Sequence, residues 1–445
     1  MNLYKLNSIT SLADNKFEDN NTQISSEDKL AHCNTFNQYC VEINKDFRNN
    51  DLKSLIDKFN EFDEFIKKFP LNFFENNLAI SQNNIPDIIF YFLHPSKNYI
   101  FLYSCITLLN DILFSCQNAF ILFCQDKFIE LLVSNISSST NDILRNLHIK
   151  ALSNILSESN EDFHNKFLKL FPNELIIKLM NSNKNDDNFI RVFLMFICGI
   201  TLFQTPQETS QLILFIANEQ ICKFPFKCLQ IYKNLIIVHK IYDGFNYRNI
   251  NNIFSINYED NDLIIECCIF IHLLLKHNAD VKNQFEHQKI ASFALCPADS
   301  NNYNDKLKYC ALLALYDIGN FVNYVNSLVV QFESLSHECK NVAGLIIFDF
   351  AKTVTSESCN LLISSQENIF SIAKNLLSTY NHKLMIDIFI SMQLFFEITR
   401  FSQRTIDMFL TEFPGDTIWQ FVETNDDEVN KAGMNFINSC LSDEE

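Results

Sequence analysis

From Glu27 onward the apolar residues recur at helical spacing. Leu144, Leu147, Ala151, Leu152 and Ile155 form one stripe, and Ile264, Cys267, Cys268, Ile271, Leu274 and Leu275 form another. Both follow the i, i+3, i+4, i+7 pattern that gathers apolar side chains on one face of an amphipathic helix. Period-two alternation of strand length is scarce. Short polar breaks at residues 137–141, 181–187, 297–302 and 424–428 are rich in Ser, Asn and Asp, which supply helix caps and turns. The pattern predicts an all-α chain of many helices of moderate length. Residues 1–26 are polar and carry no such periodicity, so they read as a flexible leader.

Two blocks of the pattern repeat. Phe167-Leu-Lys-Leu-Phe-Pro172 and Phe409-Leu-Thr-Glu-Phe-Pro414 match, and their prolines lie 242 positions apart. That distance is six units of roughly 40 residues, inside the range of helical armadillo and HEAT repeats. After each proline the spacing predicts a short helix, with Leu175/Ile176 and Leu179/Met180 as core pairs in one block and Ile418, Phe421 and Val422 in the other. An acidic Asn/Asp break and a new amphipathic segment follow, at Phe189 and at Val429. Residues 109–133 show the same order, ending on Phe128, Ile129, Leu132 and Val133. The hexamer Phe65-Ile-Lys-Lys-Phe-Pro70 is related but lies off this register.

On these residues the chain resembles the armadillo/HEAT superfamily of α-solenoids, most clearly over residues 141–182. The resemblance implies a right-handed α-solenoid of helical repeats. It divides the chain into the leader, an N-terminal helical segment at 27–96 that caps the array, and repeats over 97–445 with an irregular break near 243–262. Many armadillo repeats carry a glycine between their first two helices, and this chain mostly lacks one. In such repeats the third helix lines an inner groove. Placed on the short helices, that expectation selects three pairs four residues apart: Ile177 and Asn181, Trp419 and Glu423, Glu130 and Ser134. Nuclear-import receptors of the superfamily use a Trp followed four positions later by an Asn. Here Asn181 follows Ile177 and Trp419 precedes Glu423, so neither pair is complete. The leader also lacks a basic autoinhibitory stretch.

Composition narrows the function. Only 6 of 445 residues are glycine, and no two lie close enough for a phosphate-cradling loop or a nucleophile elbow. The formal charge of −18 disfavours nucleic acid and anionic membrane and suits a basic protein or peptide. The aromatic load of 44 Phe and 14 Tyr is not interleaved with basic residues as a base-stacking platform requires, so it reads as core. Fifteen cysteines form no CxxC and mostly sit in apolar helical stripes, which reads as reduced core thiols in a cytoplasmic or nuclear protein. His272, His277 and His287 are the densest histidine group, but i, i+5 spacing does not stack two imidazoles for a metal. The longest apolar run, 98–125, is divided by Asp111 into pieces too short to span a bilayer. The expected protein is a non-enzymatic interaction scaffold without metal or cofactor, binding a partner peptide or protein along a helical-repeat groove. The alternatives are a regulatory subunit docking through other surfaces and a nuclear-transport-type adaptor. A helix over residues 426–441, with Val429, Phe436, Ile437 and Leu441 inward, is expected to close the array.

Overall fold

The computed structural model describes residues 26–69, 73–74, 78–94, 97–116, 118–256, 260–296, 304–319, 323–352, 369–379, 381–400 and 402–441. The leader up to residue 25, the break at 297–302, Pro70 and Cys359 lie outside the described residues. Contacts divide the chain into two compact units, Met1–Ile241 and Tyr242–Glu445. The described residues of both are all-helical. Among the described residues the one β-type contact is an isolated bridge, in which Phe74 N–H donates to the Ser115 carbonyl at 2.9 Å.

The first unit runs α1 (Ser26–Arg48), α2 (Leu52–Ile66), α3 (Leu78–Gln82), α4 (Ile85–Phe92), α5 (Tyr99–Ser115), α6 (Phe120–Phe123), α7 (Asp126–Ser138), α8 (Asp142–Glu158), α9 (Glu161–Leu170), α10 (Asn173–Asn183), α11 (Asp187–Ile200), α12 (Gln207–Gln220) and α13 (Pro225–Ile237). Its long helices stack in chain order, α2 on α5, α5 on α8, α8 on α11 and α11 on α13, while the shorter helices pack beside them. The expected unit at 141–182 is present as α8, α9 and α10. The apolar run at 98–125 is broken after α5, and no helix among the described residues is long and apolar enough to cross a membrane.

The second unit runs α14 (Tyr247–Ile256), α15 (Asn261–His277), a 3-10 turn (Ala279–Gln284), α16 (His287–Ala294), α17 (Asp305–Ile318), α18 (Val325–Gln331), a 3-10 turn (Phe332–Ser334), α19 (His337–Lys352), α20 (Ile369–Leu377), α21 (His382–Ile398), α22 (Gln403–Glu412), a 3-10 turn (Gly415–Ile418), α23 (Trp419–Val422) and α24 (Asp427–Cys440). Here α15, α17, α19, α21 and α24 stack in the same way. Within the stretch near 243–262, of which residues 257–259 lie outside the described residues, α14 forms. Ile250, Ile253 and Phe254, at i, i+3 and i+4, bury that helix. The boundary expected near residue 96 falls inside the first unit, where α4 packs on α5.

The unusual composition has a local use. Asn98, Asn141, Asn160, Asn304 and Asn381, with Asp51, Asp186, Asp260 and Asp426, cap helix starts by accepting backbone N–H groups. Asparagine also replaces glycine where the backbone must turn left-handed, at Asn50, Asn84 and Asn118, with φ of 54°, 55° and 57°. A chain poor in glycine thus still ends and restarts its helices.

The core follows the predicted stripes. Every residue of the Ile264–Leu275 stripe is buried, as are Leu144, Ala151, Leu152 and Ile155, whereas Leu147 is half-buried. At the chain's end α24 buries Val429, Phe436 and Ile437 against α21 and α23, and Leu441 is half-buried at its cap. Gly433 allows the close approach: a Cβ there would lie 2.6 Å from Val422 Cγ2. Phe436 packs near the rings of Phe396 and Phe409, at 5.9 and 5.7 Å between centroids. Phe436→Ala should therefore cost about 3–5 kcal/mol, read as a lowered urea midpoint for the second unit, and Gly433→Ala should move the same transition in the same direction. Unchanged midpoints would show that α24 adds nothing to the stack.

Candidate partner-binding surface

The three pairs expected from the sequence all reach solvent. Ile177 is 45% exposed, and Asn181, one turn on, is exposed beside the buried Ile176, Leu179 and Met180 of α10. Glu130 and Ser134 occupy the same flank of α7, next to buried Phe128, Ile129, Leu132 and Val133. Trp419 is half-buried on α23, between buried Ile418 and Phe421, and Glu423 is exposed at its C-cap, its N–H bonded to the Trp419 carbonyl at 3.0 Å. Each pair is intact within its helix. The first two pairs belong to the first unit and the third to the second unit.

The neighbour-to-neighbour stacking runs through the long helices, and sequence reasoning missed their outward faces. On α5, Tyr99, Ile100 and Tyr103 are 45%, 54% and 42% exposed, and Tyr99 stacks on Tyr103 at 6.2 Å. On α8, Ile143 is exposed, and Leu147, Lys150 and Asn154 are half-buried along one stripe. On α11 the corresponding stripe is Arg191, Met195 and Cys198. A repeating polar seam runs beneath. Asn110 is buried and donates to the Ile106 carbonyl on its own helix and to Leu147 on the next, at 2.9 and 3.0 Å. Asn154, 44 residues on, donates to Asn110 Oδ1 at 3.5 Å, and Asn234 of α13 donates to Thr201 Oγ1 at 2.9 Å. The sequence signal was available: an Asn late in a long apolar helix, recurring at about the repeat length.

The remaining candidate chemistry resolves into structural roles. His272 meets Asp317 Oδ2 at 2.5 Å, His277 stacks on Tyr242, and His287 lies beside Tyr324, so the three histidines do not converge. No group of three or more His, Cys, Asp or Glu able to hold a metal forms among the described residues. Ser210 Oγ lies 3.0 Å from His239 Nδ1, the distance of a nucleophile and its base. Ser210 is buried, however, and His239 Nε2 donates to the Thr201 carbonyl at 3.2 Å, so the pair fastens the turn after α11 to the end of α13. Burial holds the His239 imidazole below its usual range. Burial likewise pushes the Cys40 thiol up to about 12 and Cys339 to about 11, leaving both as poor nucleophiles.

No protein-family model and no curated protein matches the chain. Solved structures do match it in fold. The crystal structure of an engineered protein superposes with a TM-score of 0.70 at 14% identity, covering 91% of this chain and 99% of the other. A structure from work on a conserved phosphorylation switch in the interaction between cadherin and beta-catenin superposes with a TM-score of 0.52 at 11% identity, covering 87% of each chain. The likeness is one of fold: an all-α solenoid of helical repeats.

The seam predicts a stability effect. Asn110→Ala would remove the donor that ties α5 to the Leu147 carbonyl of α8 and should cost about 0.5–1.5 kcal/mol, measured by urea unfolding. An effect below about 0.5 kcal/mol, the level of an ordinary surface substitution, would remove Asn110 from the seam.

Proposed function

We propose that this protein is a non-enzymatic interaction scaffold that binds a partner peptide or protein along its helical-repeat surface. The observation that carries the reading is the row of solvent-facing stripes on successive stacked helices, in which Tyr99, Ile100, Tyr103 and Ile143 leave large apolar area open. Such area over rigid, regularly spaced elements suits recognition of an extended chain, one short segment per repeat. The fold likeness to a beta-catenin structure, whose interaction with cadherin is named in that work, supports the same mode of action.

The partner we favour is basic. The chain is strongly acidic, and Trp419 with Glu423 one turn away offers a ring face and a carboxylate to one Lys or Arg side chain. On the first unit, taken by itself, Ile177 with Asn181 would offer a bound segment apolar contact and backbone hydrogen bonding, and Glu130 with Ser134 further polar contacts. Docking as a regulatory subunit through other surfaces is the competing reading, and a nuclear-transport-type adaptor is a special case of the scaffold.

A displayed random-peptide library panned against the full chain separates these readings. Extended Lys- or Arg-containing sequences should be enriched. Trp419→Phe should weaken the selected peptides by roughly 2- to 30-fold, the range of one ring-face contact, while leaving the unfolding midpoint within a few degrees. Failure to enrich any peptide, or enrichment of acidic ones that ignore Trp419, would overturn the basic-partner reading.

A further inference from the structure

The joint between α2 and α5 holds two carboxyl groups, one buried and one half-buried, that the proposed binding surface does not use. Asp63 on α2 is 8% exposed, and its Oδ1 is buried with no donor. Asp111, across the joint on α5, has a buried Oδ2 that also lacks a donor. The other oxygen of Asp63 is engaged by Lys67 Nζ, at the C-cap of its own helix, and that ammonium lies 3.6 Å from Asp111 Oδ2. One ammonium thus meets both carboxyl groups and sets them side by side across the joint. Two ionised carboxylates are acceptors only and repel at this separation, whereas one proton turns the contact into a charge-assisted hydrogen bond.

We propose that Asp111 carries a proton and donates it to Asp63 Oδ1, so that the α2–α5 joint is a proton-sensitive contact, tight when Asp111 is neutral and loosened when it ionises. This arrangement gives each orphaned oxygen a role: Asp63 Oδ1 gains a donor, and Asp111 Oδ2 holds the proton. The charges around the pair support it. Burial first, then the hydrogen bond and charge of Asp63, push the Asp111 carboxyl up to about 7, against the pull of Lys67 and of Lys150 on α8. Lys67 is half exposed, which weakens its compensation. Asp111 is the sole charged residue of α5. On α2, Lys58 is turned to Glu42 and Glu61, and on α4, Asp87 is turned to Lys127.

The sign follows from linkage. A carboxyl raised in the folded state binds more protons there than in the unfolded chain between its ordinary value near 4 and about 7. Its stabilisation is complete below that window, is lost as pH rises through it, and is gone above about 7. His148 in the same unit works in the opposite direction. It is buried between Asn135 and the Leu144 carbonyl and held down to about 4, so its contribution is lost as pH falls. A comparison between variants at one pH cancels His148.

The test is hydrogen exchange by mass spectrometry on the full chain, following peptides from residues 52–66 and 99–115 in wild type and Asp111→Asn at pH 5 and pH 8. Each pair is compared at a single pH, so that intrinsic exchange rates cancel. The asparagine amide donates to Asp63 at both values. Opening of these helices in wild type, relative to the variant, should therefore increase by about tenfold or more from pH 5 to pH 8. Peptides from residues 305–318 in the second unit should show no such change. Asp63→Asn, which removes the facing charge but leaves the burial, should reduce the dependence without abolishing it and serves if the first variant does not fold. A wild-type-to-variant ratio that is the same at both pH values would overturn the proposal. Peptide binding does not enter the measurement, so this inference and the proposed function fail separately.

Discussion

Everything in this molecule depends on the burial of one long helix against the next. Helices such as α8, α11 and α15 are apolar over so much of their circumference that none could be stable alone in water. Residues Leu263–Ile271 of α15 are all buried, although they face every direction around the helix. Such a helix needs neighbours on both flanks and a cover behind. The solution is a stack in which each long helix is walled by its predecessor and successor while shorter helices close the back. At about 25 cal/mol per Å² of apolar area, a single fully buried Phe or Leu outweighs any surface ion pair on the chain. Hence the polar features follow the stack and do not create it.

What the polar groups provide is register. Side-chain bonds between neighbouring repeats recur at sequence separations near the repeat length. Lys127 reaches Asp87 and Lys166 reaches Asp126, each 40 residues back, and Lys223 reaches Asp187 over 36. These pairs are exposed and each contributes little. The buried members matter more. Asn110, Asn135 and His148 hold carbonyls and one another inside the stack, where a misplaced repeat would leave desolvated groups unpaired. Apolar burial would tolerate sliding, whereas these bonds are satisfied at one position only.

The same packing decides which side chains stay in solvent. In the first unit the long helices α5, α8 and α11 commit most of their surface to packing and each keeps a stripe that reaches solvent. Tyr99 and Tyr103 on α5, the Ile143 to Asn154 stripe on α8 and the Arg191 to Cys198 stripe on α11 are positioned by the core beneath them. Titratable groups drawn into the seams, such as Asp111, are taken out of water by the same packing and acquire shifted proton affinities as a consequence.

Helical spacing, cap residues and the matching Phe-x-x-x-Phe-Pro blocks were enough to read an all-α repeat chain, because those features are local and each unit repeats the same short-range requirements. They also located α8, α9 and α10, the buried stripe of α10 and the buried Ile418, Phe421 and Val422. The exposure of Ile177 and Asn181 beside that stripe followed from the same 3.6-residue geometry. Which helices stack from repeat to repeat was not legible, because most of the described helices carry an apolar face and the choice of neighbour depends on shapes that meet only in three dimensions. That is why the Asn110, Asn154 and Asn234 seam was missed although its residues recur at repeat spacing. The helix at 247–256 was missed because Asn-rich flanks masked a three-residue apolar face. In sequence Asp111 stands out only as the charge that divides an apolar run, and Asp63, 48 residues away on another helix, looks like an ordinary surface carboxylate. Only the tertiary structure brings them together, because the stack that buries their neighbours also removes the water that would otherwise keep them apart.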